Sequence, residues 1–237
     1  MSTLRVYHLP GAWGLPTVSP FCLKLDAFLR IADIEHESIT AGTPFGGPKK
    51  KAPWIEYRGE KLGDSAIIID FLKAEYGRDP DAHLSPSERG KGQAIQCLIE
   101  EHLYWAMVYD RWCREENWAR LKNTVLGDLP AALKPILPPL ARRGVKKQLE
   151  GHGMGLHSPA EIEALAAKDI GALADLLGEQ VWFHGDRVST TDACVYSLLA
   201  NIAFVEFESP MKVMVASHAN LTTWLERFRA EVYPEAT

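Results

Sequence analysis

Cysteine is scarce and scattered. The four residues Cys22, Cys97, Cys113 and Cys194 show no paired short spacing, which excludes both a disulfide framework and a cysteine-rich zinc cage and points to a reducing compartment. No apolar run is long enough to cross a bilayer. The first residues, Met-Ser-Thr-Leu-Arg, lead into a strand-like segment without the charged-then-apolar pattern of a secretory signal, so the expectation is a cytoplasmic protein with no membrane contact. Positive charge is not in excess. The formal net charge is -5, which argues against nucleic acid as a partner and leaves the run Lys49, Lys50, Lys51 as the obvious local basic patch. Internal repeats and low-complexity segments are also lacking. What the chain does have is 46% apolar residues in 237, enough for a real hydrophobic core in one or two domains.

The signals along the chain change character near residue 80. Residues 4–9 alternate as a first strand and stop at Pro10-Gly11. Ser19-Pro20 then opens a helix, with Ser as N-cap and Pro at the first helical position, and Phe21, Leu25, Phe28, Leu29 and Ala32 recur at helical spacing. A second strand over 34–39, a Gly- and Pro-rich surface loop over 42–48, a hairpin over 54–62 turning at Arg58-Gly59, and a helix from Ser65 to Gly77 complete this part. The order, strand-helix-strand-loop-hairpin-helix, suits a thioredoxin-like sheet. We therefore expect a thioredoxin-like α/β domain over 1–77, a polar linker over 78–84 and an all-helical domain over 85–237. Ser85-Pro86-Ser87-Glu88 and Ser158-Pro159-Ala160-Glu161 are capping boxes, the first opening one long helix toward Trp118. Ser189-Thr190-Thr191-Asp192 has the same spacing ahead of an apolar, buried helix over 193–204. Asn220 is placed to cap a last helix, and the prolines over 130–139 break their region into short pieces.

Three short segments can carry chemistry. At Ser19-Pro20-Phe21-Cys22 a helix N-terminus gathers unpaired N–H groups and the positive end of a dipole, which favours a bound thiolate to which Ser19 can donate a hydrogen bond. The plainer alternative is an ordinary N-cap with Cys22 as a small buried residue. At Lys51-Ala52-Pro53-Trp54 a proline stands immediately before a strand. In a thioredoxin-like unit it is commonly cis and turns the preceding backbone toward a peptide ligand, whereas elsewhere such a proline is usually trans. At Asp64-Ser65 a hydroxyl and free N–H groups can hold a carboxylate while Asp64 pairs with an ammonium, which suits an amino-acid head group; a plain cap is again the alternative.

Taken in order, these three segments resemble the glutathione site of the glutathione transferase superfamily. More closely, residues 19–25, 51–57 and 64–68, Arg111-Trp112, residues 153–159 and residues 185–193 look like its metaxin and failed-axon-connections branch. The resemblance spans nearly the whole chain. It implies a βαβαββα glutathione-binding domain (glutathione being the cosubstrate), an all-helical second domain and a homodimer, with no metal. By the same carry-over Ser19 activates the thiol, Asp64 and Ser65 hold the γ-glutamyl group, and Lys51, Ala52, Pro53 and Trp54 flank the peptide; Ser189 and Asp192 match the family's capping motif, a folding role. Two departures stand out. The metaxins are import and scaffold proteins of the mitochondrial outer membrane, and the end of this sequence, Pro-Glu-Ala-Thr, carries no anchor. Ser19-x-x-Cys22 is neither a Cys-first nor a Tyr-type site, so Cys22 joins Ser19 as a catalytic candidate able to form a mixed disulfide with glutathione.

His102, Tyr104, Trp105, Tyr109, Trp112 and Trp118 form an aromatic stripe that by itself reads as core or domain interface. Because the resemblance sets this helix beside the electrophile pocket, Trp105, Tyr109 and Trp112 are lining candidates for a small apolar cosubstrate. His152 and His157 lie in a Gly-rich turn without a second ligand at a sensible spacing, so no metal is expected. The leading expectation is a glutathione transferase. The competing ones are a non-catalytic scaffold of the same fold and a Cys22-dependent glutathione reductase or peroxidase.

Overall fold

The computed structural model describes residues 3–127 and 129–236. Four strands, β1 (Arg5–His8), β2 (Glu37–Thr40), β3 (Trp54–Tyr57) and β4 (Glu60–Gly63), form one mixed sheet in the order β2-β1-β3-β4. β1 and β2 are parallel and so need a crossover, which is helix α1 (Pro20–Ile31); β3 runs antiparallel to β1 and to β4. The β3–β4 hairpin turns through Arg58 at φ 51° and Gly59 at φ 87°, the two positive values a two-residue hairpin needs. Arginine tolerates this position because its guanidinium lies 4.8 Å over the Tyr57 ring and pairs with Glu75 at 2.6 Å. Helix α2 (Ser65–Tyr76) closes the unit and ends at Gly77 in the left-handed conformation, as the sequence leads one to expect.

One face of the sheet is packed by Leu4, Val6 and Ile55 against Leu25, Phe28 and Leu29 of α1 and Ile68, Ile69 and Leu72 of α2. The other side of α1, through Leu23 and Ala27, joins a larger core of helices. At its centre is α8 (Thr190–Ala203), in which every residue from 191 to 202 is buried, as an all-round apolar helix must be. Its capping box is fully formed: Asp192 accepts from the Ser189 amide and hydroxyl (2.9 and 2.6 Å), from the Phe183 amide (3.0 Å) and from the Trp224 indole (3.2 Å). Around it lie α3 (Pro86–Cys97), α4 (Tyr104–Cys113), α5 (Glu115–Leu126), α6 (Leu137–His152), α7 (Pro159–Leu177), α9 (Pro210–Ser217) and α10 (Ala219–Val232).

Two expectations about these helices are corrected. The segment opened by Ser85 does not run unbroken to Trp118. A π-helical turn over Leu98–Leu103 joins α3 to α4, and the chain breaks at Arg114. The break is possible because distant side chains take the carbonyls it would orphan: Asn117 donates to Asp110 O (3.2 Å), and Arg142 donates to Trp112 O (2.8 Å) and Cys113 O (3.0 Å). Asn220 does not cap α10. Its amide instead donates to Ala174 O and Gly178 O at the end of α7, and His218 is the N-cap residue.

The two cores are tied together by buried polar links. Lys24 of α1 is only 2% exposed and pairs with Glu100 of the π-helical turn, which also accepts from Gln96 (3.1 Å). Asp81 binds Lys73 of α2 and accepts from the Thr190 amide at the start of α8 (2.9 Å).

Candidate functional site

The register of the sheet decides where the candidate segments meet. Tyr7 pairs with Trp54 and Trp54 with Gly63, so the end of β1, the start of β3 and the end of β4 lie side by side. The loop to Ser19 leaves β1 there, Pro53 enters β3 there, and Asp64-Ser65 follows β4 there. Three segments far apart in sequence therefore converge on one edge of the fold, with the N-terminal ends of α1 and α2 both directed at it.

Ser19 is the N-cap of α1 and is half-buried; its hydroxyl oxygen accepts from the Cys22 amide at 3.4 Å. A hydroxyl that accepts in this way keeps its own proton to donate, which is what a ligand thiolate needs. Cys22 lies just beneath, its thiol within hydrogen-bond reach of the Ser19 and Thr17 hydroxyls and the Leu9 backbone. It is 2% exposed, and burial pushes its thiol up. The two members of the pair proposed from sequence are in contact but differ in burial: Ser19 is half-buried at the helix start, while Cys22 is buried and held in its protonated form, which argues against an attacking role.

The Ala52-Pro53 bond is cis, and Ala52 is half-buried beside the edge. Trp54 is buried and stacks on Tyr7 at a centroid distance of 4.8 Å, while the Tyr7 hydroxyl donates to Glu56. The loop over 42–51 folds closely across this indole. A Cβ at Gly47 would come within 2.5 Å of Lys51 O and 3.0 Å of the indole, so only glycine fits. That approach brings Lys49 to 3.8 Å from Asp64 and leaves Lys50 and Lys51 exposed nearby.

Asp64 caps α2, its carboxylate accepting from the Ala66 and Ile67 amides at 3.1 and 3.4 Å. Its φ of 89° and ψ of 118° lie outside the regions a non-glycine residue ordinarily occupies, a strain held in place by the surrounding site. The cap modifies the expectation from sequence. Two of the free amides assigned to a ligand carboxylate are occupied by Asp64 itself, which leaves Ser65, itself buried, to supply the hydroxyl and amide.

The three aromatic residues proposed as one lining do not meet. Trp105 stacks on His152 at 4.6 Å, Tyr109 lies beside α7 and α9, and Trp112 stacks on Trp118 at 5.2 Å. The aromatic residue that reaches the N-terminus of α1 is Tyr104, edge-on to Phe21 at 4.9 Å. The π-helical turn ahead of it shifts the helix phase, which 3.6-residue periodicity could not reveal. Arg111, noticed in the sequence only as a motif, is also part of the site's support. It is 5% exposed, burial pushes its pKa down to about 10, and it donates to Val18 O (3.2 Å) and to the backbone and side-chain oxygens of Asn201 while lying 5.1 Å from the Trp13 ring. Among the described residues no group of three or more His, Cys, Asp or Glu side chains is placed to hold a metal ion.

A mixed four-stranded sheet with a cis-proline at the edge where two helices begin, followed by a helical unit, defines a glutathione transferase fold, and comparison with known proteins agrees. Residues 20–117 match the glutathione S-transferase N-terminal domain and residues 166–228 the C-terminal domain. The isoprene-epoxide–glutathione S-transferase of Rhodococcus sp. (strain AD45) is 32% identical over 96% of this chain and 98% of that protein. The chain belongs to the glutathione S-transferase family. Failed axon connections of Drosophila melanogaster is 29% identical over 98% of this chain, and metaxin-3 of Xenopus laevis 29% over 79%; the chain spans 58% and 63% of those longer proteins. Among solved structures, a Methylobacterium radiotolerans glutathione S-transferase in complex with glutathione sulfonate superposes with a TM-score of 0.65 at 17% identity, covering 99% of this chain and 94% of that one, and human glutathione S-transferase T1-1 does so with 0.65 at 16% over 98% and 85%. At these identities the structural likeness concerns the fold.

Proposed function

We propose that this protein binds glutathione at the edge formed by Ser19, Ala52-Pro53 and Asp64-Ser65 and transfers its thiolate to a small apolar electrophile. The observation that carries the proposal is the convergence of two helix N-termini on one sheet edge, with a half-buried serine hydroxyl at the first and a buried serine at the second. In this reading Ser65 holds the γ-glutamyl carboxylate, Asp64 attracts the ammonium, and the backbone at Ala52 pairs with the peptide. The exposed Lys50 and Lys51 add positive charge for its second carboxylate. Ser19 and the α1 dipole stabilise the thiolate, so the thiol loses its proton to solvent near neutral pH. The relative that acts on isoprene epoxide supports an epoxide as the electrophile class: sulfur bonds to a ring carbon, the C–O bond breaks and the oxygen takes up a proton.

The reading includes a cytoplasmic homodimer, for which sedimentation equilibrium is the check. Conjugation of glutathione to a small aliphatic epoxide, followed by mass spectrometry, tests the chemistry. Product formation by the wild type and its loss in Ser19→Ala support the reading. Glutathione binding without turnover of any epoxide, alkyl halide or activated aryl halide favours the non-catalytic role suggested by the similarity to failed axon connections and metaxins.

A further inference from the structure

Besides Lys49–Lys51, the chain carries a second and larger group of cations. Residues 129–149 contain Lys134, Arg142, Arg143, Lys146 and Lys147 and no Asp or Glu, in a chain of net charge -5. The same stretch exposes Leu133 (40%), Ile136 (54%), Leu137 (39%) and Leu140 (58%), a contiguous run of the large apolar residues this protein shows to solvent.

Helix α6 packs inward through Pro138, Val145 and Leu149, and helical spacing sets Leu140, Arg143 and Lys147 on the opposite side. Arg142 is committed to Glu115 and to the end of α4. Lys134, Arg143, Lys146 and Lys147, by contrast, take part in no ion pair among the described residues. Beside Trp118 and Pro139 lies an open groove of about 720 Å³ lined by Arg142, Arg143, Lys146 and Lys147 and by one carboxylate, Glu150, so that four cations face one anion.

We propose that this face docks on an anionic lipid bilayer. The division of the segment favours a bilayer over an acidic protein. The aliphatic residues are gathered at one end, at 133–140, with Lys134 among them, and the other cations, Arg143, Lys146 and Lys147, follow roughly 5–10 Å further along the helix axis, a displacement comparable with the depth of a headgroup layer. The aliphatic end enters the boundary of the acyl chains, and Arg143, Lys146 and Lys147 meet lipid phosphates, for which the groove gives room. The acidity of the rest of the chain keeps other faces off the surface and so orients the molecule. No described helix is long and apolar enough to cross a membrane, so the association is peripheral and reversible.

The test is co-sedimentation of the full chain with vesicles of phosphatidylcholine alone or with roughly 30% phosphatidylserine, at low and high salt. Expected are binding to the anionic vesicles only, its loss at high salt, a roughly tenfold or greater weakening in R143E/K147E, and a comparable loss in I136S/L140S. The substituted side chains are solvent-facing, and an unchanged thermal midpoint shows that the fold is intact. Failure to bind anionic vesicles, or equal binding to neutral ones, overturns the proposal. It is equally overturned if I136S/L140S abolishes self-association while no vesicle binding occurs, which identifies the face as a contact between copies of the chain.

Discussion

The buried guanidinium of Arg111 in α4 donates to the carbonyl of Val18, the residue immediately before Ser19. The backbone that sets the N-cap hydroxyl is thus fixed from the helical core, through the same side chain that binds Asn201 of α8. Replacing it removes three hydrogen bonds and leaves their oxygens buried. Arg111→Met is expected to cost about 2–4 kcal/mol of unfolding free energy, seen as a lower urea midpoint. Glutathione affinity should fall too, because the loop before Ser19 loses its anchor.

The two residues proposed together at the start of α1 are expected to behave oppositely. Ser19→Ala should lower conjugation by about 100-fold through a raised glutathione thiol pKa, visible as a shift of the pH–rate profile to higher pH. Cys22→Ala should leave the chemistry nearly unchanged and cost about 1–2 kcal/mol of stability, because the buried sulfur fills core space.

Lys24 and Glu100 supply a test of buried charge. Substituting both with residues of similar volume, as in Lys24→Met with Glu100→Leu, should be close to neutral in stability. Lys24→Met alone should cost about 3 kcal/mol, since it strands Glu100 beside buried Cys194. Chemical denaturation of the single and double variants measures the difference.

Acid should weaken the join between the two cores. Burial pushes the Asp81 carboxyl up, but hydrogen bonds from Lys73 and Thr190 outweigh it and hold it below its ordinary value. Hydrogen bonds from Ser85 lower Glu88, and those from Ser158 lower Glu161. A depressed folded pKa gives stability that is present above the unfolded value and lost as pH falls through the folded one. The thermal midpoint should therefore hold through mildly acidic pH and fall below about pH 4, and Asp81→Asn should be less stable at pH 7 with a shallower acid loss.

Much of this architecture was legible because it is written locally. Ser85-Pro86 with Glu88, Ser158-Pro159 with Glu161, and Ser189 with Asp192 each mark a helix start within four residues, and the order of the first six elements followed from alternation and turns. Ser19, Pro53 and Asp64-Ser65 could be singled out because each sits at an element boundary. The break at Arg114 could not, since it depends on Arg142 and Asn117 taking carbonyls at the end of α4. Nor could the position of Tyr104 be read, since the π-helical turn changes which residues face α1. The burial of Cys22, one turn into the helix, depends on the loop from β1 folding back over it, where the Leu9 backbone and the Thr17 hydroxyl reach its thiol.

Calorimetric titration with reduced glutathione, run on the wild type and on Ser65→Ala, tests the central claim most directly. The account predicts one site per chain with measurable affinity in the wild type and about tenfold weaker binding in the variant, at unchanged thermal stability, as loss of one hydrogen bond to a charged carboxylate requires. Absence of heat at millimolar glutathione, or equal affinity in both proteins, would contradict it.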